Sequence, residues 1–115
     1  MSGSNGSRDN ESAGSASGAG GGVDPCRRSR RGPINSPKAA VLAPLNVGSV
    51  LGVEVRRPGS SPILTVTDGA GTAAGSLTFV GYLEIIDCIE NRGFSYDATI
   101  TNISGGAYEV RVEPR

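Results

Sequence analysis

Along residues 50–56, Leu51, Val53 and Val55 alternate with Gly52, Glu54 and Arg56, the period-two pattern of a strand with one face buried and the other wet. Pro58, Gly59 and two serines follow as a turn. Residues 63–67 are β-branched at four of five positions and end on Asp68-Gly69, a pair suited to the positive φ of a hairpin turn. A third strand is expected to return over residues 74–78, built of small side chains. Gly71 and Gly75 there mark a bulge or a close backbone approach.

From Phe79 to Asn91 the period changes. At about 100° per residue, Phe79, Tyr82, Leu83, Ile85, Ile86 and Ile89 fall on one arc with Glu84 and Asp87 opposite, which predicts an amphipathic helix ended by Gly93. Beyond it, Phe94, Tyr96, Ala98 and Ile100 alternate with Ser95, Asp97, Thr99 and Thr101. After a Ser104-Gly105-Gly106 turn, Tyr108, Val110 and Val112 alternate with Glu109, Arg111 and Glu113. Upstream, Ser36 and Pro37 read as the N-cap and first position of a short helical turn through Leu42, which Pro44 stops. The pattern predicts a mainly β fold with one amphipathic helix, a small five-stranded barrel of OB-like Greek-key order. Closing the barrel protects strand edges that so small a sheet otherwise exposes.

Composition divides the chain further. Sixteen of the twenty-one residues from Ser2 to Gly22 are Gly, Ser or Ala, without apolar periodicity, so burial cannot repay ordering entropy. The chain reads as a disordered tail over residues 1–24, an Arg-rich arm over 25–37 and a β-barrel domain over 38–115. Eleven basic residues balance eleven acidic ones, yet Arg27, Arg28, Arg30, Arg31 and Lys38 stand together without an acid among them. Residues 39–115 carry five arginines against eight acids, so the body is anionic.

The absence of histidine excludes Ser-His-Asp and Cys-His catalysis and imidazole-ligated zinc, and no enzymatic role is expected. Nor is a cofactor or metal: Glu84, Asp87 and Glu90 form an acidic stripe read as a solvated helix face, with no companion carboxylates at metal-ligand spacing. Two cysteines are too few for a disulfide scaffold and are read as free thiols, Cys88 as a small buried hydrophobe and Cys26 in the arm. With no apolar run of signal-peptide or membrane-spanning length, a soluble, cytoplasmic chain without a membrane partner is expected.

The strand over residues 50–55, the Val66-Thr67-Asp68-Gly69 end, the Ala74-Gly75-Ser76-Leu77 stretch and Gly93 before Tyr96-Asp97-Ala98-Thr99-Ile100 together resemble the HIRAN family of small β-barrel modules, over roughly residues 47–112. The resemblance implies recognition of DNA, particularly single-stranded ends, without catalysis. The family's Asn-Pro-x-Asp-x-Asn-Ala signature is not matched by Arg57-Pro58-Gly59-Ser60-Ser61-Pro62, so no binding residues carry over.

From the residues themselves, the expectation is a non-enzymatic binding module. Its Arg27, Arg28, Arg30, Arg31, Lys38, Arg56 and Arg57 would contact single-stranded DNA or RNA through phosphate neutralisation. The alternative is a protein-interaction module with the arm as a tether, and an intermediate arrangement docks the arm on the acidic body of its own chain.

Overall fold

The computed structural model describes residues 24–115. The tail expected over residues 1–24 therefore lies, but for Asp24, outside the described residues. A 3-10 turn (Pro25–Arg27) leads into β1 (Arg30–Pro33), α1 (Ala39–Leu42), β2 (Val50–Arg56), β3 (Ile63–Thr67) and β4 (Ala73–Ser76). Then follow α2 (Tyr82–Arg92), β5 (Tyr96–Ser104) and β6 (Ala107–Pro114).

The six strands form one antiparallel sheet in the order β1-β6-β5-β2-β3-β4, curled into a half-barrel. Five strands were expected. The sixth is β1, whose Arg30-Arg31-Gly32-Pro33 sequence has no alternating apolar pattern and is recruited by pairing in register with residues 109–112 of β6. The segment read as an arm separate from the domain is thus one edge of its sheet.

The curl brings the chain after β1 against β4 at the opposite edge. Asn35 and Ser76 exchange backbone hydrogen bonds of 2.8 and 3.0 Å, and the Lys38 N–H donates to Ala74 O at 2.9 Å. Gly75 makes this approach feasible: its φ is +154°, and a Cβ there would collide with Ile34 and lie 2.9 Å from Asn35 O. Because residues 36–38 run across β4, α1 starts at Ala39, after an extended Lys38 rather than at the expected Ser36-Pro37 cap. Ser36 instead turns the chain at a φ of 50°.

Inside the curl lie Leu51 of β2, Leu64 and Val66 of β3, and the β5 and β6 side chains at even positions, from Tyr96 to Ile100 and at Val110 and Val112. Helix α2 closes the interior with Ile85, Ile86 and Cys88, and ends as expected at Gly93, in a left-handed conformation with φ 71°. Leu83, expected on the buried arc, is 60% exposed, because the helix begins only at Tyr82 and its inner face centres on Ile85 and Ile86.

The expectation of free thiols is overturned: Cys26 and Cys88 form a disulfide across a sequence separation of 62 residues, with Cα atoms 5.6 Å apart. No spacing rule predicts that pairing. The recruitment of β1 swings the preceding 3-10 turn against the inner face of α2, where Cys88 points. No helix among the described residues is long and apolar enough to cross a membrane.

Candidate functional site

The seven cationic residues singled out from the sequence separate into two groups. The four on the N-terminal side surround the disulfide and β1. Asp24 accepts from the Cys26 N–H at 3.0 Å and holds Arg92 through two bonds of 2.7 and 2.8 Å. Those two contacts, with Arg92 the larger, hold the Asp24 carboxyl at about 2, well under its ordinary value. The Tyr96 hydroxyl, buried under the same turn, donates to Cys26 O at 2.6 Å, and burial raises its pKa. Arg27 and Arg92 flank the Phe94 ring, their guanidinium carbons 5.5 and 5.2 Å from its centroid.

Arg30 is already committed to its own chain. Its guanidinium pairs with Glu84 of α2 and donates to Pro25 O at 3.3 Å, and its buried Nε has no partner among the described residues. Gly81 has no side chain, and a Cβ there would strike the Arg30 guanidinium, so the helix start is shaped around it. Arg28 and Arg31 remain exposed, with Arg31 opposite Arg111 in register. The intermediate arrangement, in which the arm docks on the acidic body, describes Arg30.

Lys38, Arg56 and Arg57 come together elsewhere. They line an open cleft of about 530 Å³ on the outer side of the sheet, between the end of the β2–β3 hairpin and the segment crossing β4. The sequence does not show this meeting, because Lys38 is brought to it by the Asn35–Ser76 bridge and its own N–H bond to Ala74 O.

Arg56 pairs with Glu54 at 2.9 Å and donates to Gly71 O at 2.8 Å, while Arg57 grips Glu90 of α2 with bonds of 3.2 and 2.5 Å. Lys38 has no ion pair among the described residues. Pro58, Ile63 and Ala73 supply apolar surface; Ser36, Thr65 and Ser76 supply hydroxyl groups.

Thr65 is the residue that sequence reading passed over. It stands on the outward face of β3, opposite Glu54 and Ser76 in register, yet is only 5% exposed. Leu64 and Val66 alternate with Thr65 and Thr67, the pattern of a strand with one wet face, so no local signal marks Thr65 as buried. Leu64 to Thr67 are all buried.

The acidic stripe is exposed at Glu84, Asp87 and Glu90 as expected, but Glu84 and Glu90 each receive an arginine, so it also serves as the anchoring surface for β1 and for the end of β2. Among the described residues no three His, Cys, Asp or Glu side chains converge to hold a metal ion. Comparison with known proteins returns no matching family model, no matching curated protein and no matching solved structure.

Proposed function

We propose that the chain is a non-enzymatic binding module whose contact surface for an anionic ligand is the cleft that gathers Lys38, Arg56 and Arg57. The observation that carries this reading is the convergence of cations from two separate parts of the sequence on one concave surface with an apolar lining. Its volume, about 530 Å³, falls within the range of about 300–1,000 Å³ usual for small-molecule sites. The absence of histidine and the engagement of both cysteines in a disulfide support binding over catalysis. The HIRAN-like strand pattern supports a binding role as well.

A single strand of DNA or RNA is the polymeric form of such a ligand. It has less support than a small anion, because Arg30 is consumed by Glu84 and, among the described residues, no aromatic ring on which a base could stack lines the cleft. The disulfide favours action in an oxidising compartment over the cytoplasm expected from the sequence.

Amide chemical-shift mapping of the full chain during titration with acetate, decanoate, inorganic phosphate and a thymidine oligonucleotide tests the reading. Shifts centred on Lys38, Arg56 and Arg57 are expected for at least one anion. An unchanged cleft with all four would overturn it. For the oligonucleotide, three phosphate contacts predict a log–log salt slope of about −2, against about −5 if all seven cations took part.

A further inference from the structure

Building on the cleft as the binding surface, we infer that its ligand is an amphipathic monoanion, with one singly charged head at Lys38 and Thr65 and an apolar body along Pro58, Ile63 and Ala73. Three observations specify that class. The first is charge. Among the described residues, Arg56 pairs with Glu54 and Arg57 with Glu90, so of the three cations at the cleft one positive charge is left over, that of Lys38. A single negative head is complementary to that balance, whereas a polyanion would have to displace both carboxylates.

The second is Thr65. Thr65 lines the cleft, and since Arg30 Nε is the one enclosed polar side-chain atom without a partner among the described residues, the Thr65 hydroxyl meets the open space of the cleft, where it can donate to a ligand. A head group seated beside Lys38 would accept that bond. The third is the surface itself. Ile63 is 38% exposed on the outer face of β3, and with Pro58 and Ala73 it offers an apolar strip that a bare inorganic anion would leave unused. Covering such surface removes apolar area from water and so favours a ligand with a tail.

Decanoate serves as the probe, with decanol and acetate separating tail from head, all titrated calorimetrically into the full chain. Decanoate should bind about tenfold more tightly than decanol, and acetate should not saturate. Thr65→Val, which keeps shape while removing the hydroxyl, should weaken decanoate about tenfold, and Thr65→Ser should restore it. Lys38→Met should weaken decanoate about tenfold while leaving decanol unaffected. Arg111→Met, away from the cleft, should change nothing.

Equal affinity for decanol and decanoate, or indifference to both Thr65→Val and Lys38→Met in variants with unaltered amide spectra, would overturn the inference. If anions shift the cleft amides with no preference for a tail, this inference falls and the broader cationic-cleft reading stands. If none does, both fall.

Discussion

Two arginine-bearing regions of this small half-barrel have opposite fates. Around the disulfide, Arg30 and Arg92 are tied to acidic side chains and to backbone carbonyl or sulfur atoms, and Arg27 and Arg92 lie on Phe94. At the cleft, Arg56 and Arg57 hold single carboxylates at half-exposed positions and Lys38 holds none among the described residues. Exposed pairs of that kind contribute little to stability, typically about 0–1 kcal/mol. Charge density along the chain is greatest in the first region, where Arg28 and Arg31 stay exposed, whereas in the second Lys38 is the one cation without an acidic partner among the described residues. Sequence proximity concentrates charge; the fold decides whether that charge is already neutralised.

The contrast is broken most strongly by removing the covalent link. Replacing Cys26 and Cys88 by alanine should destabilise the protein by about 4 kcal/mol, from the entropy of a loop closed across 62 residues. Urea denaturation with and without reductant measures it. A loss under 1 kcal/mol would show that β1 pairing and the Asp24–Arg92 clamp hold the N-terminal end unaided.

Next in size, Gly75→Ala strikes the cleft side instead. The new methyl group meets Ile34 and the Asn35 carbonyl at a backbone angle that favours glycine, so a loss of about 3 kcal/mol is expected, with weakened amide protection at Ser76 and Lys38. Wild-type stability would mean that the two sheet edges are not held together there.

Tyr96→Phe leaves Cys26 O without its buried donor and should cost about 1.5 kcal/mol by thermal unfolding. By contrast, Lys38→Met should alter stability by less than about 0.5 kcal/mol, since the side chain is exposed and bonded to nothing described. Together these two variants show whether the pinned region bears the stability and the cleft bears spare charge.

The smallest effect is a titration. Asp24 has its pKa lowered from 3.8 to about 2, so its contribution to stability is present above 3.8 and disappears as pH falls through about 2. A carboxyl-carbon NMR titration should put its midpoint near 2. A midpoint at the ordinary value would remove Arg92 as its partner.

Strands β2, β3, β5 and β6 and the helix could be read from the chain because their side chains repeat at periods of two or 3.6, and periodicity is a local property. Strand β1 could not, since Arg30 to Pro33 carry no such repeat and acquire strand geometry only by pairing with β6. The candidate site divides in the same way. Arg56 and Arg57 were apparent as adjacent cations, but nothing local indicates that Lys38 joins them or that Thr65 is buried beneath them.

What the amino-acid order determined without help was the five strands from Val50 onward with the helix between them, the Ile85–Ile86 core face, the helix stop at Gly93 and the lack of imidazole chemistry. Tertiary structure alone decided the sixth strand, the Cys26–Cys88 bond, the capture of Arg30 by Glu84 and the assembly of the cleft. Each of the latter depends on residues far apart in sequence meeting when the sheet curls, and that curvature arises from the pairing of whole strands, which no short run of residues encodes.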